Sequence, residues 1–276
     1  MGSNAVDGKN LILEREDRDL IISQWPEASR FIHKYGGTKE LVSGMHRWCV
    51  WVDDRDLEAA LNVPPIAEII ENCRAYRINA GRDARKASKR PHAFCYSTYE
   101  EKEFIQVGNT IGNSLSHVPV EVRGKGFVSN HNAFTIYGLC LVEFSVIIST
   151  LHKVWAETVS GRLGNGTRYG NTVVYNTFPF PDLTEKNKFD LSQSAERILL
   201  EREAHFPATI ADLYDPEKMP ANLREAHEQN DEVLERIYIG RRFKNDTERL
   251  EKLFELYTRM TASSPSKSKI QRGAFR

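Results

Sequence analysis

Residues 152–181 read HKVWAETVSGRLGNGTRYGNTVVYNTFPFP. A helix-like run gives way to a polar loop, and the loop to a stiff apolar run that ends in prolines. Upstream, "LVEFSVIISTLHKVWAETV" places Leu141, Phe144, Ile148, Leu151, Trp155 and Val159 three or four residues apart. That period predicts one helix despite the β-branched content. Gly161, Gly164, Gly166 and Gly170 then make the segment to Asn171 pliable. "TVVYNTF" reads as a strand because β-branched and aromatic residues favour a pleated, half-buried surface. With a strand-rich stretch before this segment and a helical one after it, the chain reads as the mixed α+β class.

Working outward, "AFCYSTY", "EFIQVG", "VPVEV" and "AFTIYG" between Pro91 and Tyr137 read as short strands with turn residues between them. Before them, Pro64 and Pro65 suit the start of a long helix, "IAEIIENCRAYRINAGRDARKASKR". Ile66, Ile69, Ile70 and Cys73 form its apolar stripe. "HRWCVWV" predicts a strand, and residues 10–34 short helical pieces. After "PFPDLTE", three amphipathic stretches predict a helical bundle: "DLSQSAERILLEREAHF", "PANLREAHEQNDEVLERIYI" and "DTERLEKLFELYTRM". The expected organisation is a spacer over residues 1–60 and a β-rich domain with packed helices over 61–184. A C-terminal helical domain over 185–262 follows, then a disordered basic tail over 263–276.

The 38 basic and 38 acidic side chains cancel, but they are not evenly spread. Residues 1–72 carry 8 basic and 13 acidic groups, residues 73–184 carry 13 and 8, and residues 185–260 carry 13 and 17. A basic middle between acidic flanks suits a local anionic partner. No run is long and apolar enough to span a membrane, and the N-terminus has no signal-peptide pattern. Cys49, Cys73, Cys95 and Cys140 are too scattered for a CxxC zinc site and fit buried thiols in a reducing cytoplasm. No phosphate-binding glycine motif, nucleophile constellation or metal-ligand spacing is present, which points away from catalysis by this chain.

Two features suit nucleic acid. Beyond its apolar stripe the long helix turns basic, with Arg74, Arg77, Arg82, Arg85, Lys86, Lys89 and Arg90 against the single acid Asp83. Such a face either neutralises phosphates without regard to sequence or is an ordinary solvated helix surface. In the glycine-rich loop, Arg162 and Arg168 have forked donors suited to phosphate or guanine. Asn165, Thr167 and Asn171 can donate and accept at base edges, and glycines let the backbone approach closely. The alternative is a glycine-rich connection with two surface arginines.

Taken together, these motifs resemble a known family. His152 and Trp155, then "GRL", "RY" after four variable residues, and "VYNTFPFP" closely resemble the target-recognition region of MmeI-like enzymes. These are single-chain bacterial restriction–modification proteins that methylate adenine in DNA. "LYDPEKMPANLREAH" with "ERLEKLFELY" is similar to their C-terminal helical segment. "VDGKNLIL", "HRWCVWV" and "PPIAEIIENCRAYR" look like the approach to their recognition domain.

The resemblance implies a module that recognises double-stranded DNA and works with an N-terminal methyltransferase domain. S-adenosylmethionine would be bound in the parent protein, with magnesium if the parent also cleaves. This chain would itself hold no cofactor or metal and have no catalytic residue. Base reading is expected from Gly164, Asn165, Gly166 and Thr167, and backbone contacts from Arg162, Arg168 and the basic helix. The loop is glycine-rich, so water and backbone are expected to carry part of the reading. "NTIGNSLSH" (Asn109–His117) departs from the family pattern. A protein-interaction scaffold without DNA-reading activity is the competing expectation.

Overall fold

The computed structural model describes residues 1–138 and 141–262. Cys140 and the expected basic tail, residues 263–276, lie outside them. The strands are β1 (Ile12–Leu13), β2 (Ile32–Gly36), β3 (Arg47–Val50), β4 (Phe104–Gly108), β5 (Thr110–Ile111), β6 (Val120–Arg123), β7 (Phe127–Ser129), β8 (Ala133–Tyr137), β9 (Arg162–Leu163) and β10 (Gly166–Arg168). The helices are α1 (Arg15–Gln24), α2 (Thr38–Ser43), α3 (Leu57–Leu61), α4 (Pro64–Asn79), α5 (Arg82–Ala87), α6 (Leu141–Ile148), α7 (Thr150–Val159), α8 (Glu185–Glu203), α9 (Ile210–Leu213), α10 (Ala221–Ile239) and α11 (Asp246–Ala262). The architecture is the mixed α+β one that the sequence predicts.

Two hydrophobic cores organise these elements. The first lies on a four-stranded sheet, order β1-β3-β2-β7, in which β2 and β7 pair in parallel. Leu11, Leu13, Trp48, Val50 and Val128 pack there with Ile66, Ile70 and Cys73 of α4. Residues 1–60, expected as a spacer, thus supply three strands of a sheet closed by Phe127–Ser129.

The second core covers the sheet β6-β4-β8, whose central strand is buried along its length. Ile105, Val107 and Phe134 meet Phe144 and Ile147 of α6. Leu191, Ile198, Leu223 and Leu234 from α8 and α10 complete the packing. Gln106, the polar member of β4, bridges the two sheets. Its Nε2 donates to the Gly36 carbonyl and to Ser129 Oγ, each at 3.0 Å, and its Oε1 accepts from Arg123 Nε at 2.9 Å.

Five predicted stretches differ. Residues 10–34, expected as short helical pieces, also hold β1 and the first residues of β2, which pair with β3. The long helix after Pro64 and Pro65 breaks where Ala80 is extended, and a second helix starts at Arg82. The run from Leu141 to Val159 is two helices, because Ser149 is extended and its side chain accepts from the His152 amide at 3.1 Å as the N-cap of α7. "AFCYSTY" contributes one isolated bridge, Asn4 to Tyr96, and no strand. "TVVYNTF" is a single π-helical turn, Asn171–Tyr175, closed by Asn176 N donating to the Asn171 carbonyl at 2.8 Å. Burial of Val174 and Tyr175 in the second core overrides the β preference of that run.

Candidate nucleic-acid interface

The glycine-rich loop is a hairpin. Strands β9 and β10 pair Leu163 with Gly166 and Arg162 with Thr167, which leaves Gly164 and Asn165 as a two-residue turn. Gly164 has φ +58°, a left-handed value of the kind primed hairpin turns require. On its other side β10 pairs with β5, Thr167 opposite Ile111 and Arg168 opposite Thr110.

The conspicuous residues around this hairpin are its anchors. Tyr169, just after β10, is buried, and its hydroxyl meets His152 Nε2 of α7 at 2.8 Å. Complete burial pushes the His152 pKa down to about 3 and that of Tyr169 well above its ordinary value, so both are neutral at working pH. Trp155 Nε1 donates to Thr177 Oγ1 at 3.1 Å, and its indole packs on Phe254 and Tyr257 of α11 at 5.1 and 5.6 Å. A polar tip therefore stands on a buried aromatic base.

The four base-reading candidates divide. Gly164 and Asn165 form the exposed tip, between the exposed Arg162 and Arg168. Thr167 is only 5% exposed and Gly166 is buried. A Cβ at Gly166 would lie 2.7 Å from the Ile111 carbonyl oxygen, so glycine there serves the close approach of β5. Arg162 Nη1 reaches Asn113 Oδ1 at 3.4 Å.

The basic helix residues divide as well. Arg77 is fully buried, and all five of its N–H donors are spent on carbonyls. Nε donates to Val6, Nη1 to Ala87 and Arg90, and Nη2 to Ala5 and Ala93. It has no donor left for a phosphate, which corrects the expectation for this residue. The spacing held the clue: Arg77 continues the stripe Ile66, Ile70, Cys73 and points into the core as they do. Arg90 grips Asp54 through both carboxylate oxygens at 2.8 Å, and with His92 it holds that carboxyl below its usual pKa. Arg74 pairs with Glu71 at 3.1 Å and Arg82 with Asp83 at 3.5 Å; both are exposed pairs of the kind that contribute little. Arg85, Lys86 and Lys89 are exposed and form no ion pair among the described residues. The cationic surface is narrower than the sequence suggests, and it belongs to the first core whereas the hairpin belongs to the second.

A family model described as the MmeI target recognition domain matches residues 1–182. The chain belongs to the MmeI target-recognition family. The MmeI C-terminal domain matches residues 183–264. The chain is 30% identical to "DNA methyltransferase A" of Bacillus subtilis (strain 168) over 262 residues, which is 94% of this chain and 30% of that protein. It is also similar to the Type IIL restriction-modification enzyme MmeI, solved in complex with DNA, with a TM-score of 0.89 and 26% identity. That match covers 95% of this chain and 35% of that one. The chain thus spans about a third of the length of each relative. Among the described residues no group of three His, Cys, Asp or Glu side chains could hold a metal, and no helix is long and apolar enough to cross a membrane.

Proposed function

We propose that this chain reads sequence in double-stranded DNA on behalf of an S-adenosylmethionine-dependent adenine methyltransferase. The observation that carries the reading is the exposed Gly164–Asn165 tip, flanked by Arg162 and Arg168 and mounted on buried His152, Tyr169 and Trp155. Membership in the MmeI family and the likeness to an MmeI chain bound to DNA support it. The tip meets base edges, while Arg85, Lys86 and Lys89 neutralise phosphates. A methyltransferase domain outside this chain binds the methyl donor and takes the target adenine out of the stack, since a stacked base is closed to the chemistry. Magnesium enters only if the parent also cuts. Such a parent works in the bacterial cytoplasm, where the chromosome is.

The test is selection of duplexes from a randomised pool by this chain, followed by binding at several salt concentrations. The expected result is enrichment of one defined sequence. Asn165→Ala then changes that sequence. Arg85→Ala and Lys86→Ala instead weaken binding to every duplex alike and lower the salt slope by about one each. No enriched sequence, or identical behaviour of all three variants, would overturn the proposal.

A further inference from the structure

The hairpin does not stand alone at its end of the sheet. Strand β5 runs antiparallel to β10, with Ile111 opposite Thr167. The residues that follow Ile111 therefore emerge at the same end as the Gly164–Asn165 tip, which precedes Gly166. There the chain makes a short projection: Asn113 and Ser114 are exposed between buried Ile111 and buried Leu115. Its two legs are pinned. Leu115 N donates to the Gly112 carbonyl at 3.0 Å, and Ser116 N donates to the Tyr214 carbonyl at 2.8 Å. On the other leg, Tyr169 N donates to the Asn109 carbonyl at 2.9 Å.

A side chain joins the two projections. Arg162 lies opposite Thr167, which lies opposite Ile111, yet its guanidinium meets Asn113, two residues beyond Ile111. It spans the middle strand to do so. This contact satisfies one amide oxygen lone pair of Asn113, and its NH2 donors have no acceptor among the described residues, so they can serve one outside the protein.

We propose that Asn113 and Ser114 are specificity-determining residues, which with Asn165 form one composite reading edge tied together by Arg162. The inference rests on the DNA-reading function proposed above. Its chemistry is that of an amide and a hydroxyl beside a hairpin tip, both able to pair with base edges.

The experiment repeats the duplex selection with the wild-type chain, Asn113→Ala, Ser114→Ala and Asn165→Ala, with thermal melting of each. Asn113→Ala is expected to lose discrimination by roughly 5- to 150-fold at one base-pair position, the worth of one good base contact. That position should be next to the one that Asn165→Ala relaxes. Because all three substituted residues are exposed, melting temperatures stay at the wild-type value. If the wild type selects a defined sequence and both loop variants select it with equal stringency, the inference is overturned. Uniform weakening at all positions overturns it too, since that marks a phosphate contact. A wild-type chain that enriches no sequence overturns the underlying reading, and this inference with it.

Discussion

Arg77→Met is the most informative single change, because it separates a structural arginine from a DNA-binding one. Methionine fills much of the same volume but offers none of the five donors. The carbonyls of Ala5, Ala87 and Arg90 each keep a second donor, from Cys95 N, Arg90 N and Ala93 N. Those of Val6 and Ala93 have no other partner among the described residues. Two half-buried acceptors left unsatisfied cost up to about 1–3 kcal/mol each, so at most about 2–6 kcal/mol in all. A domain stable by about 5–15 kcal/mol loses a large part of its margin. The assay is urea unfolding beside Arg85→Ala, which as an exposed change should stay within about 0.5 kcal/mol of wild type. Arg77→Met should unfold at a much lower urea concentration and, where still folded, bind DNA with an unchanged salt slope. An Arg77→Met chain that unfolds like wild type but shows a flatter salt dependence would refute the reasoning and return Arg77 to the phosphate-contacting set.

Tyr169→Phe deletes the hydroxyl that meets His152 and leaves a buried ring nitrogen without its partner. It should cost about 1–3 kcal/mol, read as a lower melting temperature. Gly166→Ala drives a Cβ toward the Ile111 carbonyl and should cost a similar about 1–3 kcal/mol, with amide exchange accelerating in β5 and β10 first. Acid should also weaken the fold through its buried histidines. Burial pushes His117 and His152 down to about 3, so below pH 6.5 the unfolded chain takes up protons that the folded chain refuses. Their contribution is whole above that pH and shrinks as pH falls toward 3, by about 2 kcal/mol each at pH 5. Asp231, raised to about 6 by burial, returns about 1 kcal/mol at the same pH. Urea unfolding at pH 7.5 and pH 5 should show the net loss, and equal stability at the two would contradict the burial of these histidines.

How much of this was legible in the sequence depended on whether the deciding interaction was local. The alternation of "HRWCVWV" and the apolar run of "EFIQVG" announced β3 and β4, and helical periodicity announced α10 and α11. The ordered motif around His152, Trp155 and Tyr169 pointed to the MmeI family, to which the chain belongs. What stayed hidden was set by distant partners. The pairing of β2 with β7 and of β5 with β10 joins segments that carry no mark of one another. The π-helical turn at Asn171–Tyr175 runs against the local preference of two valines and a tyrosine. At the candidate site, the sequence singled out Gly164 and Asn165, which lie at the exposed tip of the hairpin. The burial of Thr167 and the contact of Asn113 with Arg162 needed the third strand of that sheet. Arg77 is the intermediate case: its place on the apolar stripe was visible, but a charged side chain on such a stripe reads as exposed until its five acceptors are seen.

The anchoring of the hairpin has a consequence for how such a protein changes over generations. Asn165, Asn113 and Ser114 are exposed, while His152, Trp155 and Tyr169, which anchor the hairpin, are buried. Substitutions at these three positions remove no buried packing, so a lineage can exchange them one at a time without passing through a chain that fails to fold. The buried residues have no such freedom. Change is therefore cheapest at a few exposed side chains, and each trial there leaves the scaffold standing.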